Sequence, residues 1–147
     1  MDFVGPLPLS NEYDSIIVMT DRLTDYVLIK PMVATATVTN IASLFYKSWY
    51  RRFGLPLAIT SDCDKLSVSH FWQELFKKLK VHLCMSTAFH PETDGSSKRS
   101  NKTSIESLHY YVNVRQDDWA DHLLQVEIAM NNSVNMMTGK SPMELLY

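Results

Sequence analysis

Cysteine is scarce in this chain, and the patterns typical of a secreted protein are missing. Cys63 and Cys84 are the only cysteines among 147 residues, and neither lies in a Cys-x-x-Cys pair. Two cysteines are too few for a disulfide framework. The N-terminus has an acid at Asp2 and no basic region, which argues against a signal peptide. The sequence therefore predicts an intracellular protein with free thiols.

Long apolar runs and an excess of basic residues are also absent. No run approaches the roughly 18 residues that a membrane span needs, so no membrane partner is expected. The formal net charge is −2, whereas dedicated nucleic-acid binders are usually basic overall. Strong DNA binding by this chain alone is therefore not expected, although a local basic patch is compatible with the composition. None of the five histidines pairs with cysteines at zinc spacing.

The length suits one domain spanning residues 1–147, because the chain has no internal repeat, low-complexity tract or linker. Asp2 stands almost at the first residue, and Tyr147 falls inside a predicted helix. We therefore expect the chain to be a piece of a longer polypeptide.

The order of predicted elements indicates an α/β fold. Apolar, β-rich runs predict five strands, at Phe3–Val4, Tyr13–Thr20, Tyr26–Met32, Leu57–Thr60 and Val81–Met85. Helical periods predict four helices, through Val38–Trp49, Phe71–Leu79, Ile105–Val112 and Trp119–Met130. Ser141–Glu144 is a capping box with proline at the first helical position. We predict a five-stranded mixed sheet flanked by helices.

Two aspartates occupy positions where a metal site can form. Asp2 lies on the first strand and Asp62 follows the fourth. Cutting or joining a phosphodiester needs an activated oxygen nucleophile and stabilised phosphoryl charge, which a pair of Mg²⁺ ions supplies, and Mg²⁺ prefers carboxylate ligands. An aspartate at a strand end is also a common helix cap or turn residue, so topology alone leaves both interpretations open.

Seven motifs point to one family. They are Asp21–Thr24, Phe53–Pro56, Ser61–Asp64, Phe71–Trp72, Ser86–Gly95, Asn131–Ser133 and Thr138–Pro142. In order and spacing they resemble the catalytic core of gypsy-type LTR-retrotransposon, retroviral-like integrases. The resemblance covers nearly all of the chain, and the loop Ser86–Gly95 is its most specific part.

The resemblance implies a ribonuclease H-like fold, a DNA substrate and a Mg²⁺ site made of two aspartates and a glutamate. Asp2 and Asp62 match the aspartates. The glutamate of the family follows the second aspartate after 35 intervening residues, and that position here is Lys98. The resemblance also implies a homodimer formed through helices, and a nuclear location is compatible with it.

Lysine at position 98 changes the expected chemistry. A protonated lysine cannot coordinate Mg²⁺, and it replaces a negative charge by a positive one. We predict that Lys98 pairs with Asp2 or Asp62 and that Mg²⁺ binding is lost or weak; the alternative is that Lys98 points to solvent. Glu92 and Asp64 are possible substitute acids.

The sequence contains two basic clusters, of which the first is a candidate for phosphate contact. Lys98, Asn101 and Lys102 share one predicted helix face, with Arg99 beside it, and such a face either holds DNA phosphates or is simply solvated. The second cluster is Lys47, Arg51 and Arg52, at a predicted helix C-terminus, and we interpret it mainly as helix stabilisation.

Three functions follow from these observations. The favoured one is a catalytically inactive integrase core that acts as a DNA-binding, dimerisation or protein-interaction module. The second is a decayed transposon fragment that folds without a function. The third is an active Mg²⁺-dependent strand-transfer enzyme that uses a substitute carboxylate such as Glu92.

Overall fold

The computed structural model describes residues 1–59, 61, 65–79, 117–136 and 138–147, with the backbone alone over residues 65–68. The chain divides into two compact units. The sheet unit contains residues 2–34 and 95–147, and the helical unit contains Met1 and residues 35–94. The prediction that residues 1–147 form one domain stays a prediction.

Three antiparallel strands form the sheet of the first unit. They are β1 (Asp2–Val4), β2 (Ser15–Thr20) and β3 (Val27–Met32), hydrogen-bonded in the order β1-β2-β3. Val18 is opposite Asp2 on one side and Ile29 on the other. Five of the six residues of β2 are buried, as expected of a strand paired on both sides. The three successive antiparallel strands predicted from the sequence are confirmed.

The predicted turn between β2 and β3 is also confirmed. The Asp21 carboxylate accepts hydrogen bonds from the backbone N–H of Thr24 at 3.1 Å and from its hydroxyl at 2.6 Å. An aspartate side chain that bonds forward to the backbone is a common way to close a turn. Asp25 then adopts a positive φ of 60°, and its backbone N–H donates to the Asp21 carbonyl at 2.8 Å.

A two-residue hairpin loop lies between β1 and β2. Ser10 and Tyr13 exchange backbone hydrogen bonds of 2.9 and 2.8 Å across Asn11 and Glu12. Both loop residues have positive φ, 49° for Asn11 and 69° for Glu12. This is the geometry in which asparagine followed by glycine is preferred, because a Cβ at the second position is strained.

Replacing Glu12 by glycine is therefore expected to stabilise the fold. Glu12→Gly removes the Cβ penalty, and we expect the free energy of unfolding to rise by about 0.5–1 kcal/mol. Urea denaturation followed by circular dichroism measures this. Glu12→Ala is the control, because it removes the carboxylate but keeps the Cβ, and it should not stabilise. Equal gains in the two variants would assign the effect to the charge and contradict the backbone explanation.

One helix covers a face of the sheet. A 3-10 turn at Trp119–His122 leads into α4 (Leu123–Asn132), and Trp119, Leu123 and Val126 are buried in this unit. They pack in one cluster with residues from β2 and β3, namely Ile16, Val18, Val27 and Ile29. Full burial of such side chains stabilises by roughly 1.5–3 kcal/mol each. The predicted period through Trp119, Leu123, Val126 and Met130 is confirmed.

The C-terminal capping box is formed as predicted. Helix α5 spans Pro142–Leu146. The Ser141 hydroxyl accepts from the Glu144 backbone N–H at 3.2 Å, and the Ser141 backbone N–H donates to the Glu144 carboxylate at 2.8 Å. Two N–H groups that the helix itself cannot pair are thereby satisfied.

The helical unit contains a continuous helical segment and a second helix. Its elements are α1 (Val38–Phe45), a π-helical turn (Tyr46–Tyr50), α2 (Arg51–Phe53) and α3 (Lys65–Leu79). Thr37 and Asn40 form a capping box at the start of α1. Gly54, with φ of 78°, ends α2 as predicted.

Aromatic rings hold α1 and α3 together. The ring centroids of Phe45 and Phe71 are 5.4 Å apart at an interplanar angle of 86°, which is an edge-to-face contact. Trp72 stacks on Phe76 at 5.6 Å, and both are buried along with Leu75. The predicted helix through Phe71, Leu75 and Leu79 is confirmed.

The predicted fourth strand is not present over its described residues. Residues 57–59 form a bend and irregular backbone, and Leu57 is 99% exposed. The apolar run there suggested a buried strand, but a short run cannot indicate burial without a partner to cover it. The predicted strand Val81–Met85 and the predicted helix through Ile105–Val112 lie outside the described residues. None of the described helices has the length and apolar character needed to cross a membrane.

Candidate functional site

Asp2 is the one predicted catalytic position that the structure describes. It is half-buried in β1, directly opposite Val18. Directly opposite residues share a face of the sheet. Asp2 therefore lies on the face that carries Val18, the same face on which Val4 packs against the core cluster.

The other predicted site residues lie outside the described part of the chain. These are Asp62, Asp64, Glu92, Lys98, Arg99, Asn101 and Lys102. Within the described ranges, no three histidine, cysteine, aspartate or glutamate side chains come together to form a possible metal site. The predicted pairing of Lys98 with an aspartate, the Mg²⁺ site and the DNA-binding face therefore stay predictions.

Two polar side chains of α4 hold the outer edge of the sheet unit. The Glu127 carboxylate accepts a hydrogen bond from the Ile29 backbone N–H at 2.9 Å. The Asn131 side chain accepts from the Val27 N–H at 2.8 Å and donates to the Val27 carbonyl at 2.7 Å. Both side chains are buried. They replace a neighbouring strand for backbone groups that would otherwise be buried without partners.

The residue that Glu127 binds on β3 lies in the same cross-strand row of paired residues as Asp2. Asp2 is opposite Val18, Val18 is opposite Ile29, and the Ile29 N–H is bonded to Glu127. Along β3, the backbone groups of Val27, Ile29 and then Pro31 point away from β2. Proline has no N–H, so position 31 needs no hydrogen-bond acceptor at this edge. Glu127 and Asn131 therefore satisfy the outer edge of the sheet whose first strand carries Asp2.

Neither Glu127 nor Asn131 is a predicted site residue, and Asn131 enters the sequence pattern only as part of a motif. A usable signal is nevertheless present: Leu123, Glu127 and Asn131 are spaced four residues apart along a helix with a buried apolar side. Polar residues on such a stripe need buried hydrogen-bond partners. The sequence does not say which backbone groups are the partners.

The cluster of Lys47, Arg51 and Arg52 lies on the helical unit. All three side chains are exposed. Lys47 and Arg51 are four residues apart, one turn of helix, so they lie on the same side. Arg52 lies over the Phe53 ring at 5.5 Å from its centroid, and Tyr46 stacks on Tyr50 at 5.3 Å.

The overall architecture has clear counterparts among solved structures. The chain aligns with the HTLV-2 integrase catalytic core in complex with magnesium, in its trimeric form, with a TM-score of 0.70, 17% identity, and coverage of 99% of this chain and 94% of that one. The fold is that of an integrase catalytic core. The BIV integrase core agrees, with a TM-score of 0.63, 17% identity, and coverage of 98% and 90%. The ribonuclease H-like α/β class predicted from the sequence is confirmed.

Sequence comparison finds relatives of this chain among transposon polyproteins. Over 147 residues it is 28% identical to the Tf2-3 and Tf2-4 transposon polyproteins of Schizosaccharomyces pombe, which covers 100% of this chain. The chain spans 11% of the length of these relatives. No protein-family model matches it. The predicted resemblance to an LTR-retrotransposon integrase core is confirmed.

Proposed function

We propose that this chain is an LTR-retrotransposon integrase core whose catalytic site is disabled at Lys98, and that it acts as a DNA-binding and dimerising module. One observation carries the proposal. The chain carries Asp2, Asp62 and seven motifs that resemble those of integrase cores, and it has lysine at position 98, where the resemblance places the catalytic glutamate.

The physical argument concerns charge and ligands. A two-metal site needs hard oxygen ligands and a net negative field to hold two divalent cations. Glutamate to lysine removes one ligand and changes the local charge by two units. Two unit charges about 4 Å apart interact by about 4 kcal/mol at an effective dielectric of about 20, so this change opposes metal binding strongly. The HTLV-2 core was solved in complex with magnesium. This supports taking a magnesium site as the state with which the Lys98 site is compared.

Asp2 is compatible with either state of such a site. As a half-buried carboxylate on a strand, held in register by the sheet, it offers a fixed oxygen ligand to a cation or a fixed partner to an ammonium group. We propose that Lys98 supplies that ammonium group and pairs with Asp2 or Asp62 in place of metal.

The first test is a DNA nicking and strand-transfer assay of the unmodified chain in Mg²⁺ and in Mn²⁺. We expect no metal-dependent product. Metal-dependent cleavage that is abolished by Asp62→Asn would overturn the proposal and indicate a substitute carboxylate, with Glu92→Gln as the next variant to assay.

The binding role is tested separately from catalysis. Fluorescence anisotropy with a labelled DNA duplex is expected to show salt-dependent binding, because phosphate contacts release counterions. Sedimentation velocity is expected to show a concentration-dependent dimer; the HTLV-2 core has been solved in dimeric and trimeric forms. A monomer that binds no DNA at low salt would favour the decayed-fragment alternative.

A further inference from the structure

The charge along the chain is distributed unevenly. Between Asp25 and Asp62 the sequence contains no acidic residue but four basic ones, Lys30, Lys47, Arg51 and Arg52. That stretch therefore has a charge of +4, and because the whole chain is −2, the remainder is −6. An acid-free basic stretch within an acidic chain is a local feature that the overall composition conceals.

Three of these cations lie at the end of one helical segment. Lys47 belongs to the π-helical turn, and Arg51 and Arg52 to α2 directly after it. Among the residues that the structure describes, Lys47 and Arg51 have no ion-pair partner. The segment from Val38 to Phe53 contains no acid at all.

Aromatic side chains pack against one another at this helix end. The Trp49 and Phe53 rings are 4.8 Å apart, and Trp49 also stacks on Phe45, a buried residue. Tyr46 and Tyr50 stack at an interplanar angle of 14°. The backbone that carries the three cations is thus fixed by packing, which lowers the entropy lost when the cations bind a ligand.

Helix stabilisation explains only part of the pattern. Cations in the last turn interact favourably with the helix dipole, by about 0.3–1 kcal/mol each. Like charges four residues apart, as in Lys47 and Arg51, repel by a few tenths of a kcal/mol. Helix α3 provides a comparison, because there Lys77 is 3.6 Å from Glu74 of the same helix. In the segment that ends in α2, Lys47 and Arg51 have no acid in their own segment to pair with.

We propose that Lys47, Arg51 and Arg52, the basic surface of the helical unit, contact the phosphate backbone of DNA. Guanidinium groups bind phosphate through paired hydrogen bonds, and cations spaced over one helical turn fit a row of phosphates better than a single free anion. Contacts made by charge to phosphates are of the positioning kind and independent of base sequence. This inference rests on the DNA-binding part of the proposed function and is independent of the state of Lys98.

The test compares two double variants of equal charge change. Lys47→Ala/Arg51→Ala removes two cations from the basic surface, and Lys77→Ala/Lys78→Ala removes two exposed cations from α3 of the same unit. Affinity for a labelled duplex of arbitrary sequence is measured by anisotropy between about 50 and 200 mM salt. We expect the first variant to bind at least about tenfold more weakly at low salt, and its slope of log K against log salt to fall by about 2. The second variant should lose less than about threefold.

The outcomes separate this inference from the proposed function. Equal losses in the two variants, or no loss in either while the parent binds DNA, would contradict phosphate binding by the basic surface. The proposal that the chain binds DNA would still stand. A parent that binds no duplex would overturn both. Circular dichroism checks folding, and Lys47→Gln/Arg51→Gln replaces the alanine variant if that one unfolds.

Discussion

The Lys98→Glu variant is expected to cleave DNA in the presence of Mn²⁺ or Mg²⁺, whereas the unmodified chain is not. Glutamate places a carboxylate at position 98, which follows Asp62 after 35 intervening residues. It also changes the local charge by two units toward the negative. Metal ions contribute several kcal/mol to transition-state stabilisation in phosphoryl chemistry, so the gain should be at least about 100-fold over the parent. Nicking of a labelled duplex, quantified over time, is the measurement.

Two controls make this result specific. Lys102→Glu makes the same charge change on the same predicted helix face and should restore no activity. Asp2→Asn or Asp62→Asn in the Lys98→Glu background should abolish whatever activity appears. A silent Lys98→Glu variant that still binds DNA and is folded would show that Lys98 is not the only defect of the site.

Replacing Asn131 by alanine is expected to destabilise the fold by about 2–6 kcal/mol. The substitution leaves both the N–H and the carbonyl of Val27 buried without their partners, at a cost of about 1–3 kcal/mol for each group. These contacts join residues 104 positions apart in sequence, so their loss also loosens the attachment of α4 to β3. Urea unfolding followed by circular dichroism gives the free energy.

The neighbouring asparagine is a matched control. Asn132 is exposed, and its amide donates to the Ile128 carbonyl within the same helix at 3.0 Å. Asn132→Ala should change the free energy of unfolding by no more than about 0.5 kcal/mol, because alanine is the better helix former. Equal effects at positions 131 and 132 would contradict the role given to Asn131 at the edge of the sheet.

These two predictions concern different requirements of one site. Asn131 and Glu127 attach α4 to the edge of the sheet on which Asp2 lies, and Lys98, as we propose, decides whether a metal can bind beside Asp2. A chain can keep the first and lose the second. If both predictions hold, the chain is a folded integrase-like core that lacks catalysis.

Local patterns in the sequence determined much of the architecture. The apolar runs of β2 and β3, the turn at Asp21–Thr24, the stop at Gly54 and the capping box at Ser141 were all predicted correctly, because each depends on neighbours within a few residues. The motif spacing also determined the family resemblance and the position of Lys98, since both are properties of the sequence alone.

The tertiary structure decided what depends on distant partners. Residues 57–59 have the composition of a strand but form none, since a strand needs a partner that its own sequence does not specify. In the sequence, Glu127 and Asn131 are polar interruptions of an apolar helix face. In the structure they bind backbone groups of β3, which lies about a hundred residues earlier in the sequence. The sequence by itself thus determined which local elements form, and it supplies the prediction that Lys98 stands at a catalytic position. Only the fold decided which buried polar groups meet, because hydrogen bonds between distant segments depend on packing rather than on local pattern.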